Sequence, residues 1–296
     1  MRWVTWRAAI LVACNLMTRA ALAVENPNEV SFKLYRGYAI VVRGSVGNLK
    51  NLNFLLDSGA VPSVLDQRIA QKLHLAGTTE KLSVLTQKVE VKRTTAPKVQ
   101  VGPLQAEALP VVVRDLSFAA DALGIRVDAM IGFDFLSQSP FTINYESKKI
   151  VVGEIDPSLT TVPYEARSGY ALVELKVEQQ NLRLLVDTGT SDLVLFASAT
   201  QDCKDAIKKV GTRAWSNMGG EIRVEQVQLK DAHLGSLSWD AQYAFILPDG
   251  GNRPAGLQGL LGVVALKSRR IGFDPRHQVI AWDRERGPER IAKAAR

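Results

Sequence analysis

One short pattern occurs twice in this chain, 130 positions apart: an apolar run that ends in Asp-(Ser/Thr)-Gly. The first copy contains Asp57 and the second contains Asp187. Each Asp is followed 75 positions later by a glycine behind two apolar residues, Gly132 in the first half and Gly262 in the second. A repeated carboxylate in a repeated frame predicts two lobes that bring two acids together at a pseudo-twofold axis. A period of this size indicates duplicated lobes rather than a solenoid.

The repeat extends beyond the acids. Residues 141–144 fall on residues 271–274, and Gly37-Tyr38-Ala39 corresponds to Gly169-Tyr170-Ala171 after a length difference of two residues. Between these points, each half contains short runs of β-branched and alternating apolar residues, and glycines and prolines typical of turns separate the runs. We therefore expect an all-β architecture of two pseudo-symmetric lobes.

Helical signals are few. Residues 66–75 begin with an acid and carry apolar residues at helical spacing, which predicts a short helix, and residues 200–210 predict a weaker one. Residues 153–168 contain two prolines, which indicates the connection between the lobes.

The first 23 residues differ from the rest of the chain. Arginines flank a short basic start, residues 8–17 are mostly apolar, and Ala21-Leu22-Ala23 matches a small-x-small cleavage site. We expect a cleavable secretory signal peptide and a periplasmic or secreted mature protein. The predicted divisions are a signal peptide at 1–23, an N-terminal lobe at 24–153, a C-terminal lobe at 154–283 and a charged tail at 284–296.

Lipid attachment is the alternative for this N-terminus. Residues 11–14 resemble a bacterial lipobox, in which Cys14 would carry the lipid, although the apolar stretch before it is short. No later run of about 18 apolar residues occurs, so we expect no transmembrane span. If Cys14 leaves with the signal peptide, Cys203 is the only remaining cysteine, and no intramolecular disulfide can form.

Several classes of function lack their sequence signals. The net charge of +7 includes three arginines of the predicted signal peptide, and the other basic clusters contain no interleaved aromatic residues, so we expect no nucleic-acid partner. The three histidines are scattered without a metal-ligand spacing. We therefore expect neither a metal site nor a cofactor.

The paired motifs with their downstream glycines resemble the pepsin/retropepsin superfamily of aspartic proteases. Residues 61–65 and 131–136 look most like bacterial retropepsin-like proteins, here in a single, internally duplicated chain. The resemblance implies two acid-protease β-barrel lobes and an aspartic endopeptidase that uses Asp57 and Asp187 on a polypeptide substrate, with no metal and no covalent intermediate. Because both halves lie in one polypeptide, we expect a monomer.

The resemblance also implies supporting roles for the neighbours of the acids. Residues that orient the carboxylates or brace the two loops would be Ser58, Gly59, Thr188, Gly189 and Thr190, and residues that pack behind them would be Ile131, Gly132, Leu261 and Gly262. Thr190 carries a hydroxyl where the first motif has Ala60. A hydroxyl that donates to a carboxylate lowers its pKa, so a single one favours an activity optimum less acidic than that of a pepsin-type enzyme.

A β-hairpin flap over the cleft is a further implication. Residues 215–222 lie in the expected place of the second half, with Met218, Gly219 and Gly220 at the tip. Residues 86–95 occupy the equivalent place in the first half and contain no glycine. Neither segment carries the pepsin-type flap tyrosine, so an ordinary surface hairpin remains the alternative.

Three alternatives to catalysis stay open. Both motifs could be plain turns at strand ends, where Asp and Gly are common. The protein could be a non-catalytic, protease-like component of the cell envelope that binds extended peptides without cutting them, because a fold does not guarantee a function. Lipidation at Cys14 would favour an envelope-attached interaction module. The presence of both acids weighs against loss of catalysis.

Overall fold

The computed structural model describes residues 26–83, 88–217, 220–250 and 253–283. The protein is mostly β, with 56% of it in strands and only short helices, which confirms the expected fold class. The predicted signal peptide, Cys14 and the predicted tail lie outside the described residues. Within the described ranges, no helix is long and apolar enough to cross a membrane.

The first half is built from short strands that mostly alternate buried and exposed residues. They are β1 (Glu29–Tyr35), β2 (Ala39–Val46), β3 (Leu49–Leu56), β4 (Val64–Asp66), β5 (Thr78–Ser83), β6 (Lys88–Ala96), β7 (Val99–Val101), β8 (Leu104–Ala106), β9 (Leu109–Arg114), β10 (Ala129–Ile131), β11 (Phe141–Asn144) and β12 (Lys149–Val152). Its helices are α1 (Gln67–Lys72), α2 (Ser117–Leu123) and α3 (Phe133–Leu136).

The second half repeats this plan with longer strands in its hairpin. They are β13 (Thr160–Pro163), β14 (Glu165–Arg167), β15 (Tyr170–Val177), β16 (Gln180–Asp187), β17 (Leu193–Phe196), β18 (Ile207–Asn217), β19 (Gly220–Leu234), β20 (Leu237–Leu247), β21 (Gly259–Gly262), β22 (Arg270–Asp274) and β23 (Val279–Trp282). A 3-10 helix covers Ala197–Ala206.

The second half closes into a six-stranded barrel. Its strands follow the order β15-β16-β21-β17-β20-β19, and β19 returns to pair with β15. In the first half, the strand that corresponds to β19 is divided at Pro97 into β6 and β7, and β7 pairs with β2. Because proline has no N–H to donate, it interrupts a strand ladder. The two lobes therefore share one strand topology, but in the first lobe the strand equivalent to β19 is interrupted.

A six-stranded antiparallel sheet joins the lobes. Its order is β13-β23-β22-β11-β12-β1, so each half contributes three strands. At its centre, Thr142 of β11 lies opposite Gly272 of β22, its own equivalent 130 positions later. The pseudo-twofold axis predicted by the repeat therefore passes through this residue pair. Beside it, the rings of Phe141 and Phe273 stack with their centroids 4.9 Å apart.

The hydrophobic core is continuous between the halves. One cluster of buried residues extends from Val30 in β1 to Trp282 in β23 and includes the strands of the joining sheet. Two smaller clusters lie separately, one in each half. We call the one that contains Leu55, Val64, Val89, Val91, Val112 and Met130 the first cleft cluster, and the one that contains Leu185, Val194, Trp215, Val224, Phe245 and Leu260 the second cleft cluster.

Three local predictions need revision. The helix predicted at 66–75 is present as α1, with the Asp66 carboxylate accepting from the Arg68 N–H at 2.9 Å as an N-cap, but it ends earlier. The helix predicted at 200–210 is wrong in its second part, since residues from Ile207 onward pair with β19. The predicted connection at 153–168 is not a plain linker, because β13 within it pairs with β23 at the edge of the joining sheet.

Candidate active site

Asp57 and Asp187 lie at the ends of two equivalent strands. Asp57 follows β3 directly, and Asp187 is the last residue of β16. Each strand runs parallel to a strand of its own lobe: Leu56 pairs with Ile131, and Asp187 pairs with Gly262. The Asp57 N–H extends its ladder by donating to the Ile131 carbonyl at 2.9 Å. We call residues 57–62 the first acid loop and residues 187–192 the second acid loop.

The strand geometry sets the direction of both carboxyl groups. Side chains in a strand alternate between the two faces, so a residue shares its face with the residue two positions earlier. Asp57 therefore faces the side of Leu55, and Asp187 faces the side of Leu185. These two leucines belong to the first and second cleft clusters, so each acid lies on the same face of its strand as the cluster of its own lobe.

The two carboxyl groups meet at the seam between the lobes. The carboxyl groups of Asp57 and Asp187 lie side by side, because each packs against the glycine of the opposite acid motif. A Cβ atom added to Gly59 would lie 2.6 Å from Cγ of Asp187, and one added to Gly189 would lie 2.5 Å from Cγ of Asp57. Only glycine allows this approach, because any side chain at either position would overlap the opposite acid. The Gly59 N–H donates to Oδ1 of Asp57 at 3.0 Å, and the Gly189 N–H donates to Oδ1 of Asp187 at 2.7 Å.

Burial and mutual repulsion raise the pKa of both acids. Burial is the larger cause for each. The negative charge of Asp187 raises the pKa of Asp57 further, well above its ordinary value. Hydrogen bonds from Asp57 and from the amides of Gly189 and Gly59 favour the charged form of Asp187, so its pKa is raised less. The two acids therefore titrate as one coupled pair that shares a single proton.

Beneath the acids, Ser58 and Thr188 bind reciprocally to the opposite loop. The Ser58 N–H donates to Thr188 Oγ1 at 2.9 Å, and the Thr188 N–H donates to Ser58 Oγ at 3.0 Å. Each hydroxyl then donates to a strand carbonyl of the other lobe: Ser58 to Val186 at 2.8 Å, and Thr188 to Leu56 at 3.1 Å. Both side chains are buried. These four bonds fix the separation of the two acid loops.

The apolar-Gly pairs lie directly behind the loops. Ile131 and Leu261 are buried in the continuous core. A Cβ atom on Gly132 would overlap the Ala60 carbonyl oxygen, and one on Gly262 would lie 2.5 Å from backbone atoms of the second acid loop. The glycines therefore allow each loop to pack flat against its neighbouring strand, as the sequence predicts.

A second polar network supports the first acid loop alone. Asp134, at the start of α3, accepts from the N–H and the Oγ–H of Ser63 at 2.9 and 2.7 Å, and Ser63 Oγ accepts from the Gly132 N–H at 2.9 Å. The sequence predicts only a structural or surface acid at Asp134. No local pattern links Asp134 to Ser63, because the contact depends on the packing of β4 against β10.

Thr190 lies in the second acid loop, where its carbonyl accepts from the Val263 N–H at 3.2 Å. Within the described part of the protein, its hydroxyl makes no hydrogen bond to either acid. The Gly189 and Gly59 amides instead favour the charged form of Asp187. The difference between Ala60 and Thr190 therefore has no visible effect on the pKa of the pair.

Each cleft cluster includes residues of one β-hairpin. The second consists of β18 and β19, in which Trp215 pairs with Ile222; Gly220 begins β19, and the predicted tip residues Met218 and Gly219 lie outside the described residues. The first consists of β5 and β6, in which Leu82 pairs with Val89. It therefore begins earlier than the segment 86–95 expected from the sequence. The matching registers make the two hairpins equivalents under the pseudo-twofold axis.

Equivalent positions on the two hairpins carry opposite charges. Glu80 of β5 pairs across its hairpin with Val91, and Arg213 of β18 pairs with Val224. Glu80 forms an ion pair with Arg93 at 2.6 Å. The guanidinium of Arg213 binds the Asp192 carboxylate at 2.9 Å. It also lies 4.0 Å above the ring of Phe245 in the second cleft cluster. No group of three or more His, Cys, Asp or Glu side chains that could hold a metal ion occurs in the described ranges.

The reciprocal bonds predict a large loss of stability for Thr188→Ala. The substitution leaves the buried Ser58 N–H and Leu56 carbonyl without their partner, which costs about 2–3 kcal/mol of unfolding free energy. Denaturant unfolding would measure it. Thr190→Ala is the matched control, and we expect it to change the free energy by less than about 0.5 kcal/mol. Equal losses in the two variants would contradict the role of the Thr188 hydroxyl.

The raised pKa of Asp57 predicts a pH-dependent gain in stability for Asp57→Asn. A carboxyl whose pKa is raised on folding stabilises the protein below its unfolded pKa, and this stabilisation is lost as the pH rises through the folded pKa. Asparagine does not ionise. The thermal midpoint of the variant should therefore increasingly exceed that of the parent between pH 4 and pH 8, by roughly 3 °C per kcal/mol.

Asp240→Asn, at an exposed acid, controls for the change in net charge. If the difference between Asp57→Asn and the parent stays constant over this pH range, or matches the control, the pKa of Asp57 is not raised in the folded protein.

Comparison with known proteins agrees with this geometry. The family model described as aspartyl protease matches the sequence twice, at residues 42–135 and 173–264. No curated protein matches the sequence significantly. Each match contains one acid motif and its downstream glycine, and together the two cover more than half of the sequence. The chain therefore belongs to the aspartyl protease family, with two copies of the family's unit in one polypeptide.

Proposed function

We propose that this protein is an aspartic endopeptidase that hydrolyses peptide bonds with a water molecule activated by Asp57 and Asp187. One observation carries the proposal: two carboxyl groups, one from each lobe, lie side by side at the seam between the lobes, each against the glycine of the opposite acid motif. A pair that keeps one proton offers a general base and a general acid at the same place. Aspartic proteases are the standard example of two carboxyl groups that share a proton, and family membership makes the same chemistry the first hypothesis here.

We assign the role of base to Asp187 and the role of acid to Asp57, because the pKa of Asp57 is raised further. The charged Asp187 takes a proton from water, and the resulting hydroxide adds to the carbonyl carbon of the scissile amide. Asp57 gives its proton to the carbonyl oxygen, which forms a neutral tetrahedral diol. When the C–N bond breaks, one acid returns a proton to the leaving nitrogen and the other takes a proton from the diol, so the pair regains its single proton.

The substrate of this reaction is a polypeptide that lies in the cleft between the two hairpins. The site is complete within one polypeptide, because each lobe supplies one acid and one half of the Ser58–Thr188 brace. A second copy is therefore not needed for activity, and we propose that the protein acts as a monomer.

Cleavage of a diverse peptide library tests the proposal. The purified protein should cut peptides at acidic pH, and activity should fall as the pH rises through the upper pKa of the pair, since the shared proton is then lost. Because burial raises the pKa of both acids, the fall should occur at a higher pH than for a free Asp. Asp57→Asn and Asp187→Asn should each lower kcat/KM by at least about 1000-fold, the scale of a lost acid–base group.

Asp240→Asn is the matched control, because it makes the same substitution at an exposed acid, and it should keep parental activity. Cleavage that survives in either dyad variant would mean that other residues perform the chemistry. A folded parent that cuts nothing would favour a protein that binds peptides in the cleft without hydrolysing them.

We also propose that the protein is exported to the periplasm or secreted, on the evidence of its N-terminal sequence alone. Mass spectrometry of the mature N-terminus provides the test. A protein that begins at Val24 is the expected result. A protein that begins with acylated Cys14 would replace this proposal with attachment to a membrane, and an intact residue 1 would contradict both.

A further inference from the structure

Each lobe begins its acid-bearing strand pair with the same tight turn. The turns span Tyr35–Tyr38 and Arg167–Tyr170; in the first, the Tyr38 N–H donates to the Tyr35 carbonyl at 3.1 Å, and in the second, Arg167 pairs with Tyr170. Both central residues of each turn have positive φ, as a type I′ turn requires. The φ values are 52° for Arg36, 78° for Gly37, 52° for Ser168 and 81° for Gly169. The repeated turn places a tyrosine at the same position beside each acid strand.

Tyr170 reaches across the seam to the other lobe. Its hydroxyl donates to the Val61 carbonyl of the first acid loop at 3.1 Å. The preceding Gly169 lies close to the same residue, since a Cβ atom there would be 3.0 Å from Cγ1 of Val61. The ring packs against the second cleft cluster. The hydroxyl of Tyr170 is therefore bound by the protein itself.

Tyr38 occupies the equivalent place on the other side of the dyad. Its ring packs against the first cleft cluster. After burial, the charges of Asp192, Asp187 and Asp57 raise the pKa of its phenol, and Arg36 opposes them. The pseudo-twofold axis places this phenol beside the second acid loop, as Tyr170 lies beside the first. The phenol stays protonated at any working pH, so it is a hydrogen-bond donor.

The two tyrosines differ in what their hydroxyls bind. Among the described residues, the Tyr38 hydroxyl has no hydrogen-bond partner, whereas the Tyr170 hydroxyl has the Val61 carbonyl. The sequence explains part of the difference. The repeat aligns Val61 with Ser191, and Asp192 beside it directs its carboxylate to Ser191 and Arg213 at 2.9 Å each. The Ser191 carbonyl, which corresponds to that of Val61, accepts from the Ala265 N–H at 3.2 Å.

We propose that Tyr38 is a substrate-positioning residue, whose phenol O–H donates a hydrogen bond to a backbone carbonyl of the peptide bound beside the dyad. This inference rests on the proposed peptidase function. Tyr38 is half-buried, and an extended peptide presents carbonyl acceptors along its length. Tyr170, its equivalent, fixes the first acid loop instead. The same turn thus occurs in both lobes, and its tyrosine binds the substrate in the first lobe and the protein itself in the second.

The pseudo-symmetry provides a matched pair of variants, Tyr38→Phe and Tyr170→Phe, in the full-length protein. The assay is steady-state hydrolysis of the library peptide that the parent cleaves best. For Tyr38→Phe we expect KM to rise about 3- to 10-fold with kcat within about twofold, because the lost bond contributes to binding before and during the reaction. The thermal midpoint should not change. For Tyr170→Phe we expect a lower thermal midpoint and a KM within about twofold of the parent.

A peptide series identifies the carbonyl. In each member, one backbone carbonyl outside the scissile bond is replaced by a methylene group. At the position that Tyr38 binds, the replacement should weaken inhibition or cleavage of the parent but not of Tyr38→Phe, which is the coupling expected of a direct contact.

Three other outcomes would contradict the proposal, and each has a different meaning. An unchanged KM in Tyr38→Phe, or a peptide series with no coupled position, overturns this inference alone. A thermal midpoint that falls as much in Tyr38→Phe as in Tyr170→Phe makes Tyr38 a scaffold residue and overturns it as well. Absence of cleavage by the parent overturns the proposed function, and this inference with it.

Discussion

Two carboxyl groups that are buried within hydrogen-bonding distance repel each other once both ionise, and both lose hydration. Such a pair persists only if the surrounding structure prevents the two groups from separating. In this protein the reciprocal bonds of Ser58 and Thr188 supply that restraint, since each acid loop is bound to the backbone of the opposite lobe. The sheet that joins β11 to β22 holds the lobes together at the same axis.

The close approach of the acids dictates much of the local sequence. Gly59 and Gly189 lie where any side chain would meet the opposite carboxyl group, and Gly132 and Gly262 lie where it would meet the loop backbone. The four positions are therefore fixed by space rather than by turn propensity. This explains why glycine occurs at the equivalent places in both halves, although the hairpins between them differ in length.

The repeat in the sequence predicts the paired acids and the two-lobed all-β fold, and the family resemblance implies the bracing roles of Ser58 and Thr188. These features are visible because each depends on a short motif and its duplicate. Features that depend on distant partners are not visible. Residues 207–210 look helical but pair with β19. The strand β13 lies in a proline-containing stretch whose partner, β23, is more than 100 residues away. Tyr38 is visible as part of the repeat, yet its surroundings come from both lobes.

The pairing of β11 with β22 joins two copies of one unit within a single polypeptide. This affects the chain direction in which an extended peptide can bind between the lobes. Two identical subunits related by a true twofold axis present the same walls to both ends of an extended peptide. Here the copies have diverged independently, so that Glu80 stands where the other wall has Arg213, and Val112 where it has Phe245. A peptide and its reversed orientation therefore meet different charges and different volumes. Duplication within one polypeptide allows this cleft to distinguish the N-terminal from the C-terminal side of the same bond.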